Sequence, residues 1–163
     1  MPRTVGMVSL VLGLGYSPGL SRRGLPAKAR LEAWAALPLD RRRGRFEIGL
    51  RLVDEVEGRN LNREFRGKDH ATNVLSFPAG YSIGERRYLG DIALCVPVLA
   101  REAAEQGKTL ADHCAHLLVH GVLHLLGHDH QDEVAAHAME TIERRLLARL
   151  GIADPYGPQG PRA

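Results

Sequence analysis

The hydrophobic positions of the chain follow two different repeats. Apolar and polar side chains alternate in residues 46–54, which is typical of a half-buried strand, whereas later segments space their apolar residues three and four apart. The segments that predict strands are 4–14, 46–54, 74–78 and 89–96, and those that predict helices are 26–37, 58–67, 97–107, 109 to past 124, and 132–150. Because strands dominate the first part and helices the second, we predict an α+β fold, a small mixed sheet with helices packed on it.

Glycine and proline predict where the elements and the domain end. Gly67 and Gly127 can adopt the positive φ that ends a helix, and residues 79–87 predict a loop or hairpin. The chain of 163 residues is long enough for one domain with a proper core, which we place at residues 1–151. Residues 152–163 are rich in Pro and Gly, and we predict that they form a disordered tail.

The composition is ordinary for a globular protein, with 44% hydrophobic and 25% charged residues. No stretch is long enough to span a bilayer, so we predict no membrane association. Cys95 and Cys114 lie in apolar contexts and predict small buried thiols rather than a disulfide framework. Reduced thiols fit a reducing compartment, and we predict a cytoplasmic protein.

Positive charge is concentrated in the first part of the chain. Residues 1–68 contain 14 Lys and Arg against 7 Asp and Glu, whereas residues 69–163 contain 8 against 12. Most of the basic residues are arginines, which suit bidentate contacts with phosphate. The charge alone leaves two interpretations open, a surface for a polyanion such as nucleic acid and an ordinary solvated surface.

Histidines cluster in the run HGVLHLLGHDH, residues 120–130. His120 and His124 are four residues apart, which places both imidazoles on one face of a helix. A turn at Gly127 can bring His130 round as a third ligand. Three histidine nitrogens and one open position are typical of a catalytic zinc site. We therefore predict one zinc ion per chain, held on a central helix and the turn that follows it.

The same spacing occurs in zinc proteases with the motif H-E-x-x-H-x-x-G-x-x-H, but Gly121 stands where those proteases have their glutamate base. We therefore expect a hydrolytic metal site for a different substrate. Because glycine inside a helix costs stability, we also expect substrate or neighbouring backbone to pass close to it. Asp129 is open to two interpretations, orienting a ligand imidazole or helping to cap the next helix. The histidines interpreted as non-ligands are His113, His116, His128 and His137.

Three further segments accompany the histidine motif. They are LNREFRGKDHATNVLSFP at 61–78, LGDIAL at 89–94, and a helix with Met139 and Glu143. From about residue 46 to residue 151 the chain resembles the YbeY family of bacterial endoribonucleases, the rRNA maturation factors. The motif H-G-x-L-H-L-x-G-[HY]-D-H is very specific to that family and is complete here.

The resemblance implies a single-strand-specific, metal-dependent endoribonuclease that acts in late 16S rRNA 3′-end maturation and ribosome quality control. It implies that His120, His124 and His130 bind zinc, and that Arg66 is the family's functional arginine, which we take as catalytic. The implied partners are single-stranded rRNA and ribosomal particles. The general base stays unassigned, because RNA also offers its own 2′-hydroxyl as a nucleophile.

Two other functions and another role for Arg66 stay open. The chain could be a metallopeptidase-like hydrolase with an unusual base, or an RNA-binding assembly factor whose metal is mainly structural. Arg66 could clamp a phosphate, or it could form an ion pair with Glu64 or Asp69.

Overall fold

A computed structural model of the chain describes residues 9–157. Within this range the strands are β1 (Ser9–Tyr16), β2 (Arg45–Val53), β3 (Val74–Ile83) and β4 (Arg86–Cys95). The α-helices of the same range are α1 (Lys28–Ala36), α2 (Glu55–Arg66), α3 (Val96–Glu105), α4 (Leu110–Leu125) and α5 (Glu133–Ala148), and a short 3₁₀ helix follows α1 at Leu37–Leu39. Residues 4–8 of the first predicted strand lie outside the described residues.

The strands form one mixed sheet in the order β1-β2-β4-β3. β1 pairs with β2 and β2 pairs with β4 in parallel, whereas β3 pairs with β4 antiparallel. Parallel neighbours need a crossover connection, which α1 provides between β1 and β2, whereas a tight turn can join antiparallel β3 and β4. This architecture confirms the predicted α+β class with a mixed sheet and helices packed on it.

α4 packs across one face of the sheet and forms the centre of the main core. Leu118 and Val122 of α4 are fully buried in one hydrophobic cluster with Ile92 and Leu94 of β4. Ala93, which lies between those two strand residues, belongs to a second cluster with residues of α2 and α3. Successive residues of β4 thus face opposite sides of the sheet, and helices pack on both sides.

α5 packs against the side of α4 that faces away from the sheet. Val119 and Leu123 of α4 form a third buried cluster with Met139 and Leu147 of α5. This contact fixes α5 beside the helix that carries two of the clustered histidines, and it determines which α5 side chains can reach them.

The β3–β4 hairpin is longer than the sequence predicts. The two strands extend through most of residues 79–87, the segment predicted as a loop or hairpin, and leave a turn in which Gly84 has a φ of 60°. Tyr81 and Tyr88 are paired across the two strands and stack with 5.2 Å between ring centroids. Cross-strand aromatic pairs of this kind stabilise a ladder, which explains why the hairpin continues beyond the buried part of the sheet.

Residues 152–157 fall in the predicted disordered tail, but they pack on the helices. Ile152 contacts the buried clusters around α4 and α5, and the Tyr156 hydroxyl donates a hydrogen bond to Glu143 of α5. The prediction of disorder rested on the Pro- and Gly-rich composition, which does not take account of Ile152 and Tyr156 and their partners in the folded domain. Residues 158–163, the rest of the predicted tail, lie outside the described residues.

Two expectations from composition can be compared with the structure. None of the helices formed by residues 9–157 combines the length and the apolar surface needed to cross a membrane. Cys95 and Cys114 are buried thiols, as predicted, and neither forms a disulfide in the described part of the chain. Burial raises the pKa of both thiols, that of Cys114 to about 12.

Candidate metal centre

α4 carries two of the three motif histidines, and its local sequence explains why the helix begins where it does. The Thr109 hydroxyl accepts a hydrogen bond from the backbone N–H of Asp112 at 3.1 Å, which caps the first turn. Leucines and valines then bury most of the helix in the core. His120 and His124 lie in its last two turns and line a cleft at the edge of the sheet.

The turn after α4 brings the third histidine back beside the first two. Gly127 has a φ of 98°, in the left-handed region predicted for it. The backbone N–H of His128 donates to the carbonyl of Leu123 at 3.0 Å, which closes the helix end. The chain then reverses, and the ring centroid of His130 lies 5.1 Å from that of His124.

These three imidazoles form a group that could hold one metal ion. One ring nitrogen from each of His120, His124 and His130 lies within 4.8 Å of the others, and the Nε2 atoms of the first two are 3.0 Å apart. Tetrahedral coordination with Zn–N bonds of about 2.0–2.1 Å separates ligand nitrogens by about 3.3 Å. The observed spacing fits zinc after a small adjustment, and the donor set matches that of three-histidine catalytic sites.

Burial keeps one of these ligand candidates unprotonated. Burial, followed by the nearby His120 and His130, lowers the pKa of His124 to about 4. At neutral pH the His124 ring therefore carries a lone pair that a cation can use. Metal binding at this residue does not have to displace a proton.

A buried carboxylate of α5 contacts one of the clustered histidines on the side that faces away from the other two. Glu143 has no exposed surface, and its Oε1 accepts a hydrogen bond from Nδ1 of His120. Burial by itself would raise the pKa of Glu143, but hydrogen bonds from His116, His120 and Tyr156 lower it to about 2. The carboxylate is therefore ionised at neutral pH, and Nε2 of His120 is left to face the other two histidines.

Sequence reasoning leaves two roles open for Asp129, orienting a ligand imidazole or capping the next helix, and it assigns neither role to Glu143. Asp129 is exposed, and its Oδ1 accepts a long hydrogen bond of 3.4 Å from the backbone of Gln131. The residue that caps α5 is Asp132, whose Oδ1 accepts from the backbone three residues later at 2.7 Å. A signal for Glu143 is nevertheless present in the sequence, because it lies four residues after buried Met139 and shares its helix face.

α2 brings an arginine to the same cleft. It begins at Glu55, earlier than the predicted residue 58, because Asp54 accepts a capping hydrogen bond at 2.8 Å. It ends at Gly67, as predicted, with a φ of 71°. Its last residue, Arg66, donates from Nη2 to the carbonyl of Ser76 in β3 at 2.9 Å.

The cleft has a volume of about 840 Å³ and joins the histidines to α2 and β3. Its polar lining residues are Asn62, Arg66, Lys68, His70, Thr72, Asn73, Ser76, His120, His124, His128, Asp129, His130 and Gln131.

The ion pair considered for Arg66 is not observed with either Glu64 or Asp69 among the described residues. Asp69 instead pairs with Arg59 at 2.8 Å and, more distantly, with Arg63 at 3.9 Å. The Arg66 guanidinium thus lies in the cleft with a backbone carbonyl as its anchor.

The helix–sheet contact explains the glycine that replaces the protease glutamate. A Cβ atom at Gly121 would lie 3.1 Å from Cδ1 of Ile92 and 3.3 Å from Oγ of Ser76. The three atoms nearest to this Cβ all belong to strand side chains, so packing against the sheet accounts for the glycine where neighbouring backbone was expected, and the approach of substrate stays a prediction. A side chain here would enter the contact between α4 and the sheet, where it could not serve as a base in the cleft.

Comparison with known proteins agrees with the motif. The family model described as Endoribonuclease YbeY matches residues 27–151, an earlier start than the residue 46 inferred from motifs. Proteins named Endoribonuclease YbeY from Stenotrophomonas maltophilia (strain R551-3) and Xanthomonas campestris pv. campestris (strain B100) are each 52% identical to this chain over 158 residues. Each alignment covers 94% of this chain and 97% of the relative.

Among solved structures, the solution structure of TM1509 from Thermotoga maritima is similar at 24% identity and a TM-score of 0.49, and it is matched over 93% of this chain and 100% of that one. The family model covers well over half of the chain, and the relatives match almost all of it. This chain therefore belongs to the YbeY family of endoribonucleases.

Proposed function

We propose that this protein is a zinc-dependent endoribonuclease that cleaves single-stranded rRNA. We further propose that it acts in the cytoplasm on ribosomal particles, in late 16S rRNA 3′-end maturation and ribosome quality control. One observation carries the proposal: three histidines that could hold a metal line one polar cleft together with an arginine that has no carboxylate partner among residues 9–157, in a chain of the YbeY family.

In this proposal His120, His124 and His130 hold one zinc ion per chain. When bound there, zinc would supply Lewis acidity, which can lower the pKa of water to about 7 and polarise a phosphoryl oxygen. His124 contributes an unprotonated nitrogen at neutral pH. His130 is exposed, so the centre stays open toward the cleft, as a catalytic rather than a structural site requires.

Arg66 is proposed to hold the phosphate next to the metal. A guanidinium has five N–H donors, and the bond to the Ser76 carbonyl uses one of them. The remaining donors can contact two phosphate oxygens and offset the charge that develops during cleavage. Lys68, two residues further along the chain, also lines the cleft and adds positive charge for the RNA backbone.

Two variants test the separate roles of metal and arginine. Arg66→Ala should keep one zinc per chain and its melting temperature, but should lose RNA cleavage. Arg66→Lys should recover only part of the rate, since a point charge cannot make a bidentate contact. Arg63→Ala is the matched control, because Arg63 lies on the same helix but outside the cleft lining. An Arg66→Ala protein that cleaves RNA at the wild-type rate would remove Arg66 from the site.

The metal role is tested with His124→Ala, with His137→Ala on the exposed side of α5 as the control. Elemental analysis should find about one zinc per chain in the wild type and in the control, and little in His124→Ala. Single-stranded and duplex RNA of the same sequence, a 16S precursor and a peptide library serve as substrates. Peptide cleavage would favour the hydrolase alternative, and full function without bound metal would favour the assembly factor.

A further inference from the structure

Glu143 is a buried carboxylate with an unusual set of partners. It lies on α5 with no exposed surface, and no Lys or Arg of residues 9–157 forms an ion pair with it. Its partners are the ring nitrogens of His116 and His120 and the hydroxyl of Tyr156. A buried charge is costly unless each oxygen accepts good hydrogen bonds, so this arrangement points to a role for the carboxylate.

One oxygen of Glu143 fixes the tautomer of a metal-ligand candidate. Oε1 accepts a hydrogen bond from Nδ1 of His120, so the ring proton is on Nδ1. The lone pair is then on Nε2, the atom 3.0 Å from Nε2 of His124. Loss of this acceptor would let the ring rotate or change tautomer, and its nitrogen would no longer be held toward the other two histidines.

The other oxygen of Glu143 is held by the C-terminal segment. The Tyr156 hydroxyl donates a hydrogen bond to Oε2. His116 completes this side, because its Nε2 lies 3.3 Å from both Oε2 and the tyrosine hydroxyl. The Tyr156 ring also packs edge-on against the His116 ring, with 5.5 Å between centroids. The carboxylate is therefore restrained from both ends.

Residues around Tyr156 hold its ring in this place. Asp154 accepts hydrogen bonds from the backbone N–H of Tyr156 at 2.8 Å and from Nε of Arg144 at 3.0 Å. The guanidinium of Arg144 lies 5.4 Å from the centre of the tyrosine ring. The segment after α5 thus folds back on the helix through polar contacts that position one hydroxyl.

We propose that Tyr156 and Glu143 are positioning residues of the metal centre, with Tyr156 orienting Glu143 and Glu143 orienting His120. In this proposal the segment 152–157 helps to position the metal ligands, through the Tyr156 hydroxyl. This inference rests on the proposed metal site, but it concerns metal affinity and ring geometry rather than RNA cleavage.

The test measures zinc affinity by competition with a chromophoric chelator, in the absence of RNA. Glu143→Gln should weaken zinc binding by about 10- to 100-fold, the usual effect of removing a partner that orients a ligand. Tyr156→Phe removes one hydroxyl, and its effect should be smaller, about three- to tenfold, because Glu143 still faces His120. Tyr81→Phe is the matched control, since Tyr81 stacks on Tyr88 in the hairpin.

A second readout uses the metal-free protein. Long-range ¹H–¹⁵N NMR spectra of the histidine rings should show His120 as the Nδ1-protonated tautomer in the wild type and as a mixture in Glu143→Gln.

A purely structural role would lower the melting temperature without changing the tautomer. Zinc affinity of Tyr156→Phe equal to that of Tyr81→Phe would overturn the role of Tyr156. An unchanged His120 tautomer in Glu143→Gln would overturn the role of Glu143. A wild-type protein that binds zinc but does not cleave RNA would instead refute the proposed function alone.

Discussion

Replacement of Gly121 by alanine should show how closely the histidine helix must approach the sheet. The added Cβ would lie 3.1 Å from Cδ1 and 3.2 Å from Cγ2 of Ile92, closer than ordinary van der Waals contact. Ile92 is 1% exposed and lies in the centre of the sheet, so it has little room to move. Alanine at this position therefore tests how closely the backbone of α4 must approach the Ile92 side chain.

Two opposing terms determine the free energy of unfolding of Gly121→Ala. Alanine is a better helix former than glycine by about 0.8–1.0 kcal/mol. Overpacking of a filled core costs about 1–3 kcal/mol. Because the neighbour is fully buried, we expect the second term to exceed the first and the variant to be less stable by about 1 kcal/mol.

The assay is a double-mutant cycle with Ile92→Val, measured by urea unfolding with a zinc chelator present, so that metal binding does not add to stability. Ile92→Val alone should cost about 0.5–1.5 kcal/mol. It also removes Cδ1, the atom nearest the added methyl group, so the double variant should be more stable than the sum of the two by about 1 kcal/mol. Additivity within about 0.5 kcal/mol, or a Gly121→Ala protein about 1 kcal/mol more stable than wild type, would refute the reasoning.

The same substitution should affect the site. Ser76 Oγ donates to the Gly121 carbonyl at 3.3 Å, and the Ser76 carbonyl accepts from Arg66. A helix pushed away from β3 would separate Arg66 from His120 and His124, so RNA cleavage by Gly121→Ala should fall more than its stability explains. Cleavage at the wild-type rate by a folded variant would show that this distance is not critical.

Three further predictions concern stability and reactivity. The pKa of Cys114 is about 12, so its thiolate fraction at pH 8 is about 10⁻⁴. Burial also raises the pKa of Cys95, and both thiols should therefore resist iodoacetamide until urea unfolds the protein. Rapid labelling of the native protein would contradict this prediction. Thr109→Ala should lower the free energy of unfolding by about 1 kcal/mol, because it removes the cap of α4, and no change in urea midpoint would show that the cap is dispensable. Asn62→Leu should lower the free energy of unfolding by about 1–3 kcal/mol, because buried Asn62 donates a hydrogen bond to the carbonyl of His70 at 2.7 Å. The control is Asn60→Leu, at an exposed position of the same helix, which should change stability little.

The sequence by itself determined the features that depend on residues close together in the chain. The four-residue spacing of His120 and His124, the positive φ of Gly127 and the cap at Thr109 are properties of one helix and its ends. Local backbone geometry therefore predicted the histidine group without knowledge of the rest of the fold. The alternation of apolar residues in 46–54 predicted β2 for the same reason, and the order of strands before helices predicted the α+β class.

The tertiary structure alone decided which distant groups meet that histidine group. Glu143 reaches His120 only because α5 packs on the outer side of α4, and Tyr156 reaches Glu143 only because the C-terminal segment folds back. Arg66 donates a hydrogen bond to the Ser76 carbonyl instead of pairing with Asp69, because β3 lies beside the end of α2. These contacts join residues far apart in the chain, and their geometry is set by core packing, which no local spacing of residues encodes.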